Sequence, residues 1–327
     1  MRTAFVTGGS GFIGGALVRR LAKEGWTVHG LARSDASAER IRRAGGRPVS
    51  GDLDDVEAMR EGAQGCEVAF HAAAAVAEWG PPGVYERLNV GGTQKALEAC
   101  RAAGARRFVH VGTEAALMDG RPLAGADETW PLRPQSPVPY CATKARAEQA
   151  VRAANGDGFE TVVVRPRLVW GPGDATILPS LLRSIESGRF SWIGGGHHRT
   201  STTHVDNAVE GLLLGAERGR PGEAYFVTDG EPVEFRDFVT RLVATQGVTA
   251  PTRNTPAPLA RMAAPTVERL WRTLRRRGEP PVTRIAVWLS SLECTIDISK
   301  ARAELGYQPV MGIDEGLAAL RPAEQAP

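Results

Sequence analysis

The sequence predicts an α/β protein, a doubly wound parallel sheet joined to a smaller C-terminal lobe. Three observations carry that expectation. Over the first 165 residues, short apolar segments alternate with helical patterns of about 10–15 residues, the rhythm of right-handed βαβ units whose sheet is covered on both faces. A glycine-rich turn stands directly between the first strand and the first helix. After Arg165 the texture changes, and Pro166, Gly171, Pro172, Gly173, Pro179 and Gly194 to Gly196 punctuate the chain.

Taken in order, strands are expected at 3–7, 27–32, 48–51, 67–72, 107–111 and 161–165. Helices are expected at 11–24, 36–44, 54–64, 84–103 and 140–154. Beyond them come helices near 177–187 and 206–216, and a strand at 223–227 that returns to the sheet. A further helix follows Val233, then a linker carrying Pro251, Pro256 and Pro258, a basic helical stretch, and a last helix near 297–305. This divides the chain into a nucleotide-binding domain (1–165 plus 201–230) and a substrate lobe (166–200 plus 231–327).

Composition sets the bounds. Of 327 residues, 42% are hydrophobic and 24% charged, with Gly 38 and Pro 22. This is ordinary globular usage and excludes disordered, collagenous and fibrous classes. No apolar run approaches the roughly 18 residues of a membrane span. The apolar stretch after Arg2 is broken by Gly8, Gly9, Gly11, Gly14 and Gly15, precedes Arg19 and Arg20, and has no cleavage-site pattern, so a secretion signal is rejected. Cys66, Cys100, Cys141 and Cys294 lie far apart with no metal spacing, which suits a reduced, cytoplasmic protein without a structural metal. The net charge of +3 gives no reason to expect a nucleic acid partner. It is unevenly spread: residues 251–290 hold eight Arg and two acids, leaving net −3 for the rest.

The turn Thr7-Gly8-Gly9-Ser10-Gly11-Phe12-Ile13-Gly14 places glycines at 8, 11 and 14 between a strand and a helix. A tight turn, backbone N–H groups that must reach a pyrophosphate, and close helix–sheet packing all require glycine there. The helix N-terminus then favours the phosphate charge. An ordinary Gly-rich turn is the plainer alternative. Strand 2 ends Leu31-Ala32-Arg33-Ser34, with no carboxylate at 31–33 for the ribose hydroxyls of NAD. Arg33 and Ser34 suit the 2′-phosphate of NADP(H), which is therefore preferred over NAD(H) although Asp35 stands close by. Asp52-Leu53 after strand 3 is placed beside the adenine, or Asp52 caps the following helix.

Tyr140 and Lys144 are four apart, so a helix puts both on one face. A phenol of pKa near 10 is a poor base at neutral pH, and a neighbouring cation favours the phenolate. Bringing it near neutrality takes roughly 4 kcal/mol, within reach of the Lys144 ammonium plus an oxidised nicotinamide. The strand 107–111 ends in Gly112-Thr113-Glu114, and Thr113 offers a hydroxyl to the reacting oxygen at the carboxyl edge of the sheet.

With these residues in hand, the chain resembles the extended short-chain dehydrogenase/reductase superfamily over nearly its whole length. The resemblance rests on Thr7 to Gly14, Asp52-Leu53, His71 to Ala74, Asn89 with Gly92-Thr93, Thr113, Tyr140 to Lys144, Arg165-Pro166 with Gly171 to Gly173, and His204 to Asp206. Tyr225 to Pro232 looks most like the 3β-hydroxysteroid dehydrogenase branch. The resemblance implies a Rossmann-type domain with Tyr140 as general acid/base, Lys144 on the nicotinamide ribose, and Thr113 in the usual Ser/Thr place. His71, Ala72, Ala73 and Pro166 would line the cofactor. Gly112 departs from the family, which often has a second hydroxyl residue there, and Glu114 is unusual. Superfamily dimers pair through helices like 84–103 and 140–154, which implies a homodimer by analogy.

The implied chemistry is hydride transfer between the nicotinamide and a secondary alcohol or ketone carbon of a small, hydrophobic, sterol-like molecule. A nucleotide-sugar epimerase or dehydratase with tightly held NAD is the alternative, and a cofactor sensor without turnover is a third. Apolar Val267, Leu270, Trp271 and Leu274 alternate with Arg269, Arg272, Arg275, Arg276 and Arg277 in 265–277. That pattern suits a helix lying on an anionic membrane surface, or equally a core helix with a solvated arginine face. Trp170, Phe190, Trp192, Met262, Trp288 and Leu289 are candidates for a hydrophobic substrate pocket. His197-His198 and Arg199 follow three glycines and read as a loop over the substrate, with no metal partners in sight.

Overall fold

The computed structural model describes residues 2–321. Seven parallel strands form the main sheet: β1 (Thr3–Thr7), β2 (Thr27–Ala32), β3 (Arg47–Ser50), β4 (Val68–His71), β5 (Arg107–Val111), β6 (Glu160–Pro166) and β7 (Ala224–Val227). Their order is β7-β6-β5-β4-β1-β2-β3. The direction of winding reverses between β1 and β4, and ligands of open parallel sheets bind outside the carboxyl ends of strands at such a reversal. Every residue of β5 is buried, and all but the first of β6, because a central parallel strand is covered on both faces. The outermost strand, β3, has no buried residue.

The covering helices are α1 (Phe12–Lys23), α2 (Asp35–Arg43), α3 (Val56–Ala63), α4 (Gly92–Ala102), α5 (Pro139–Ala153) and α7 (Val205–Arg218), whereas α6 (Ile177–Glu186) packs in the lobe's apolar cluster around Trp170 and Trp192. The helix expected at 84–103 is interrupted. A turn at Pro82–Tyr85 leads into a π-helical stretch, Glu86–Gly91, before α4 begins. Such widened turns gather at functional sites, and this one carries the buried side chain of Asn89, whose bonds are described below. Sequence periodicity cannot register one extra residue per turn, so the interruption was invisible to it.

The rest of the chain holds α8 (Phe235–Ala244), α9 (Ala257–Thr273), α10 (Arg284–Ser291) and α11 (Ile313–Ala319). Two expectations change in extent here. The linker carrying Pro251 and Pro256 runs into α9, whose first turn takes up Pro258 because a first-turn N–H has no helical acceptor to lose. The helix expected near 297–305 is shorter, helical from Ser299 and π-helical over Ala301–Leu305, stopped by Gly306 at φ +67°, and α11 was not anticipated.

A second sheet has the order Val233–Glu234, Arg199–Thr200, Cys294–Ile296, Leu123–Ala126. Leu123–Ala126 comes from the span assigned to the nucleotide-binding domain, so the lobe borrows a strand from it. The last six residues of the expected lobe lie outside the described residues. Trp170, Trp192 and Trp288 are buried within apolar clusters, and Met262 is 74% exposed. These four are therefore core or surface rather than pocket lining, while Phe190 and Leu289 pack partly buried against the same clusters. Among the described residues no helix is long and apolar enough to cross a membrane.

Candidate active site

The glycine turn lies where the sheet reverses. Gly8 has φ +73°, and a Cβ there would stand 2.7 Å from backbone atoms of Ala72 and Ala73, while one on Gly14 would run into the Gly8 carbonyl oxygen. The turn thus presses against the segment after β4. Ser34 caps α2 and Asp55 caps α3, but α1 starts at Gly11 with no side-chain cap. Its first-turn N–H groups meet no side-chain acceptor, and Ser10, Phe12 and Ile13 stand half-buried around them. A dinucleotide diphosphate fits this cradle.

At the carboxyl ends of β2 and β3 lies a cavity of about 400 Å³ lined by Arg33, Ser34, Arg42, Ser50 and Asp52, among others. Arg33 is exposed. Ser34 Oγ accepts from Ser37 N at 3.3 Å, so it already serves as a helix cap. Arg42, two helical turns along at the far end of α2, is a second cation that strand-end reasoning missed. Asp52 accepts from Asp54 N at 2.8 Å and does not cap α3; Asp55 does that, accepting from Ala58 N at 3.0 Å. Leu53 is buried under Gly92, where a Cβ would approach Leu53 Cδ1 to 2.8 Å.

His71 departs from expectation. Its ring is 1% exposed, with Nδ1 2.7 Å from Thr7 Oγ1 and Nε2 3.0 Å from Thr93 Oγ1. Burial, and secondarily Lys144, holds its pKa down at about 3. The ring is a neutral pillar beneath the cleft, and the backbone of Ala72 and Ala73 faces the turn in its place. Asn89 then fastens this segment: it accepts from Ala75 N at 2.7 Å and donates to Ala75 O at 3.2 Å and Thr143 Oγ1 at 3.1 Å. Thr143 lies on α5, next to Lys144.

Tyr140 and Lys144 are both on α5, as their spacing requires. The buried Lys144 ammonium donates to Val111 O at 2.7 Å and lies 3.5 Å from His110 Nε2. Burial pulls it down to about 8, while Glu148, one further turn along α5, opposes that shift. The Tyr140 phenol is pushed well above its ordinary value, first by burial and then by the Glu114 carboxylate, with the Thr113 hydroxyl opposing. Without a cofactor the phenol holds its proton firmly.

Burial and the Glu114 carboxylate explain why. Thr113 Oγ1 donates to Glu114 Oε2 at 2.7 Å and accepts from Ala115 N at 3.2 Å. In this arrangement its proton points to Glu114. Glu114 is buried and paired with the fully buried Arg167, Nη1 to Oε1 at 2.6 Å, while Arg167 Nη2 donates to Thr200 Oγ1 at 2.9 Å. Gly112 lacks a hydroxyl for a steric reason: a Cβ there would stand 2.8 Å from Val163 Cγ1 and 3.0 Å from Arg165 Cγ. Pro166 ends β6, buried at the same carboxyl edge. His197 is exposed beside Glu234 at 3.1 Å, His198 stacks on Phe235, and Arg199 Nη2 donates to Pro232 O at 3.0 Å. Among the described residues no group of side chains has the makings of a metal site.

A nucleotide cradle, a phenol and an ammonium on one helix, and a strand-end threonine now stand together, and comparison with known proteins agrees with them. Residues 5–258 match the 3-beta hydroxysteroid dehydrogenase/isomerase family. The chain belongs to this family. Among relatives of this 3-beta hydroxysteroid dehydrogenase family member, a 4-hydroxy-2-methyl-3-oxo-4-farnesyl-3,4-dihydroquinoline-1-oxide ketoreductase of Stigmatella aurantiaca is 48% identical, with 100% of this chain and 97% of that one aligned. A 2-alkyl-3-oxoalkanoate reductase of Stenotrophomonas maltophilia is 37% identical over 98% of this chain and 99% of that one. The solved structure of MoeE5 with UDP-glucose and NAD superposes with TM-score 0.75 at 26% identity, covering 97% of each chain. The protein is an NAD(P)-dependent oxidoreductase with the fold of short-chain dehydrogenase/reductases.

Proposed function

We propose that this protein is an NADPH-preferring ketoreductase acting on a hydrophobic ketone whose neighbouring carbon carries a long alkyl or prenyl chain. The single observation behind this reading is the placement of Tyr140 and the buried Lys144 one turn apart on α5, with Lys144 against the Val111 carbonyl at the end of β5, where Thr113 follows. A phenol that keeps its proton is a general acid, which is what carbonyl reduction needs. The substrate class combines the family with two relatives, whose names describe a 3-oxo group beside a farnesylated carbon and a 3-oxo group beside an alkylated one. It narrows the sterol-like expectation to open-chain or ring ketones with a flexible apolar tail.

In this mechanism the α1 N-terminus binds the diphosphate, Arg33 and Arg42 bind the 2′-phosphate, and Lys144 holds the nicotinamide ribose. A bound reduced nicotinamide supplies hydride to the carbonyl carbon. Tyr140 gives its proton to the carbonyl oxygen, so that ketone becomes secondary alcohol. Thr113 stands beside the phenol and favours its ionised form once the proton has left.

The test is a cofactor-absorbance assay with 2-alkyl-3-oxo acids, prenylated ring ketones, steroids and UDP-sugars. Turnover with the first two and NADPH is expected, and turnover restricted to UDP-sugars with retained NAD overturns the reading in favour of the epimerase alternative. Arg33→Ala is expected to weaken NADPH roughly tenfold or more and NADH less than about twofold, the loss of one charge-assisted phosphate contact. Equal losses for both overturn the NADP preference.

A further inference from the structure

We propose that α9 and the loop at 76–84 form one surface that docks on anionic lipid membranes beside the mouth of the substrate cleft. Large hydrophobic side chains that stand exposed are few: Val76, Val84, Leu259, Met262, Leu270, Leu274 and Val310. All but Val310 fall in these two segments or, for Leu274, directly at the end of α9. On α9 the buried side is Ala260, Ala264 and Glu268, so the apolar residues at 259, 262 and 270 project from the opposite side.

The two segments are joined. The Arg272 guanidinium lies 4.1 Å over the Trp79 ring, and its Nη1 donates to Gly80 O at 3.4 Å. Tyr85 Oη donates to Ala77 O at 2.8 Å, which closes the loop on itself. This loop continues directly from Ala72–Ala75, the segment pressed against the glycine turn and fastened by Asn89. The apolar surface therefore borders the cleft.

Charge selects the occupant. Arg261, Arg269, Arg272, Arg275, Arg276 and Arg277 are all exposed on α9 or just after it. Glu268, the acid within α9, is buried and spent on Arg284, with Nε to Oε2 at 2.7 Å. Glu78 and Glu279 are the acids left at this surface. Exposed aliphatic side chains bordered by arginines match the boundary between acyl chains and anionic headgroups. A protein partner of like size would need acidic residues around an apolar centre, and nothing else in the structure calls for one.

The experiment is vesicle flotation of the full chain, without cofactor or substrate, so that it stands apart from the catalytic reading. Phosphatidylcholine vesicles are compared with phosphatidylcholine–phosphatidylglycerol mixtures at roughly 0.1 M and roughly 0.5 M salt. Binding at least about tenfold stronger to the anionic vesicles, weakened by salt, is expected. Met262→Glu with Leu270→Glu, and separately Arg275→Ser, Arg276→Ser and Arg277→Ser together, should each reduce the bound fraction about tenfold while thermal midpoint and NADPH affinity stay at wild-type values. No flotation of the wild type, or flotation that both variants retain, overturns the proposal. So does sedimentation showing a dimer that Met262→Glu with Leu270→Glu dissolves, which would assign the surface to a second copy.

Discussion

Two buried arginine–glutamate pairs flank the end of β6, and they do different work. Arg165 meets Glu148 of α5, Nε to Oε2 at 3.0 Å, and Arg167 meets Glu114 just past β5. All four side chains are at most 4% exposed. Glu148 sits one turn beyond Lys144 and supports its charge, whereas Glu114 adjoins Thr113 and supports the proton on Tyr140. One carboxylate thus acts on Lys144, and the other on Tyr140. Similar chemistry in a similar setting acquires different roles from its neighbours alone.

Removing the phenol should give the largest effect, because it deletes the target of one pair and spares the other. Tyr140→Phe is expected to lower kcat by about 10²–10⁴-fold with cofactor affinity nearly unchanged, measured by steady-state rates and fluorescence titration of NADPH. Wild-type turnover would remove Tyr140 from the mechanism.

Breaking either pair leaves a buried arginine unpaired, and Glu114→Gln and Glu148→Gln should each destabilise the fold by about 3–5 kcal/mol in denaturant titrations. Their pH profiles should part. Reduction needs the protonated phenol, so its rate falls as pH rises through the phenol's pKa. Loss of Glu114 removes an influence that raises that pKa, so the limb moves to lower pH in Glu114→Gln. In Glu148→Gln it should stay in place while the KM for NADPH rises, because Lys144 loses the carboxylate that keeps it charged. Identical shifts in both variants would abolish the distinction.

A last test concerns His71, which both pairs leave untouched and which can calibrate their pH dependence. Its folded pKa of about 3 lies below the ordinary 6.5. Between those values the unfolded chain takes a proton that the folded one refuses, so stability falls as the solution is acidified, by about 1.4 kcal/mol per pH unit. His71→Gln should flatten unfolding midpoints over that window, and an unaltered slope would reassign the acid sensitivity to other groups.

The glycine turn, the Tyr140–Lys144 spacing and the alternation of strands and helices were legible because each is local, decided by residues a few positions apart. The two ion pairs were not. Glu114 and Arg167 are 53 residues apart, and only the neighbouring ends of β5 and β6 bring them together. The surroundings of Tyr140 were hidden for the same reason: Lys144 was visible at four residues' distance, but its turn toward the Val111 carbonyl and the charge on Glu114 depend on the folded sheet. His71 was placed in the cofactor's path by motif, whereas Thr7 and Thr93 hold its ring in the interior. In the lobe, π-turns and short strands carry too few residues for any periodicity to speak.

The strand Leu123–Ala126 has a practical consequence for anyone who recombines this enzyme with its relatives. Cys294–Ile296 is sandwiched between it and Arg199–Thr200, so four stretches far apart along the chain must meet before that small sheet can close. A chimera cut once, at the end of the seven-stranded half, would inherit an orphaned edge. To transplant substrate preference, the graft must also carry the 123–126 segment from deep inside the first half of the gene.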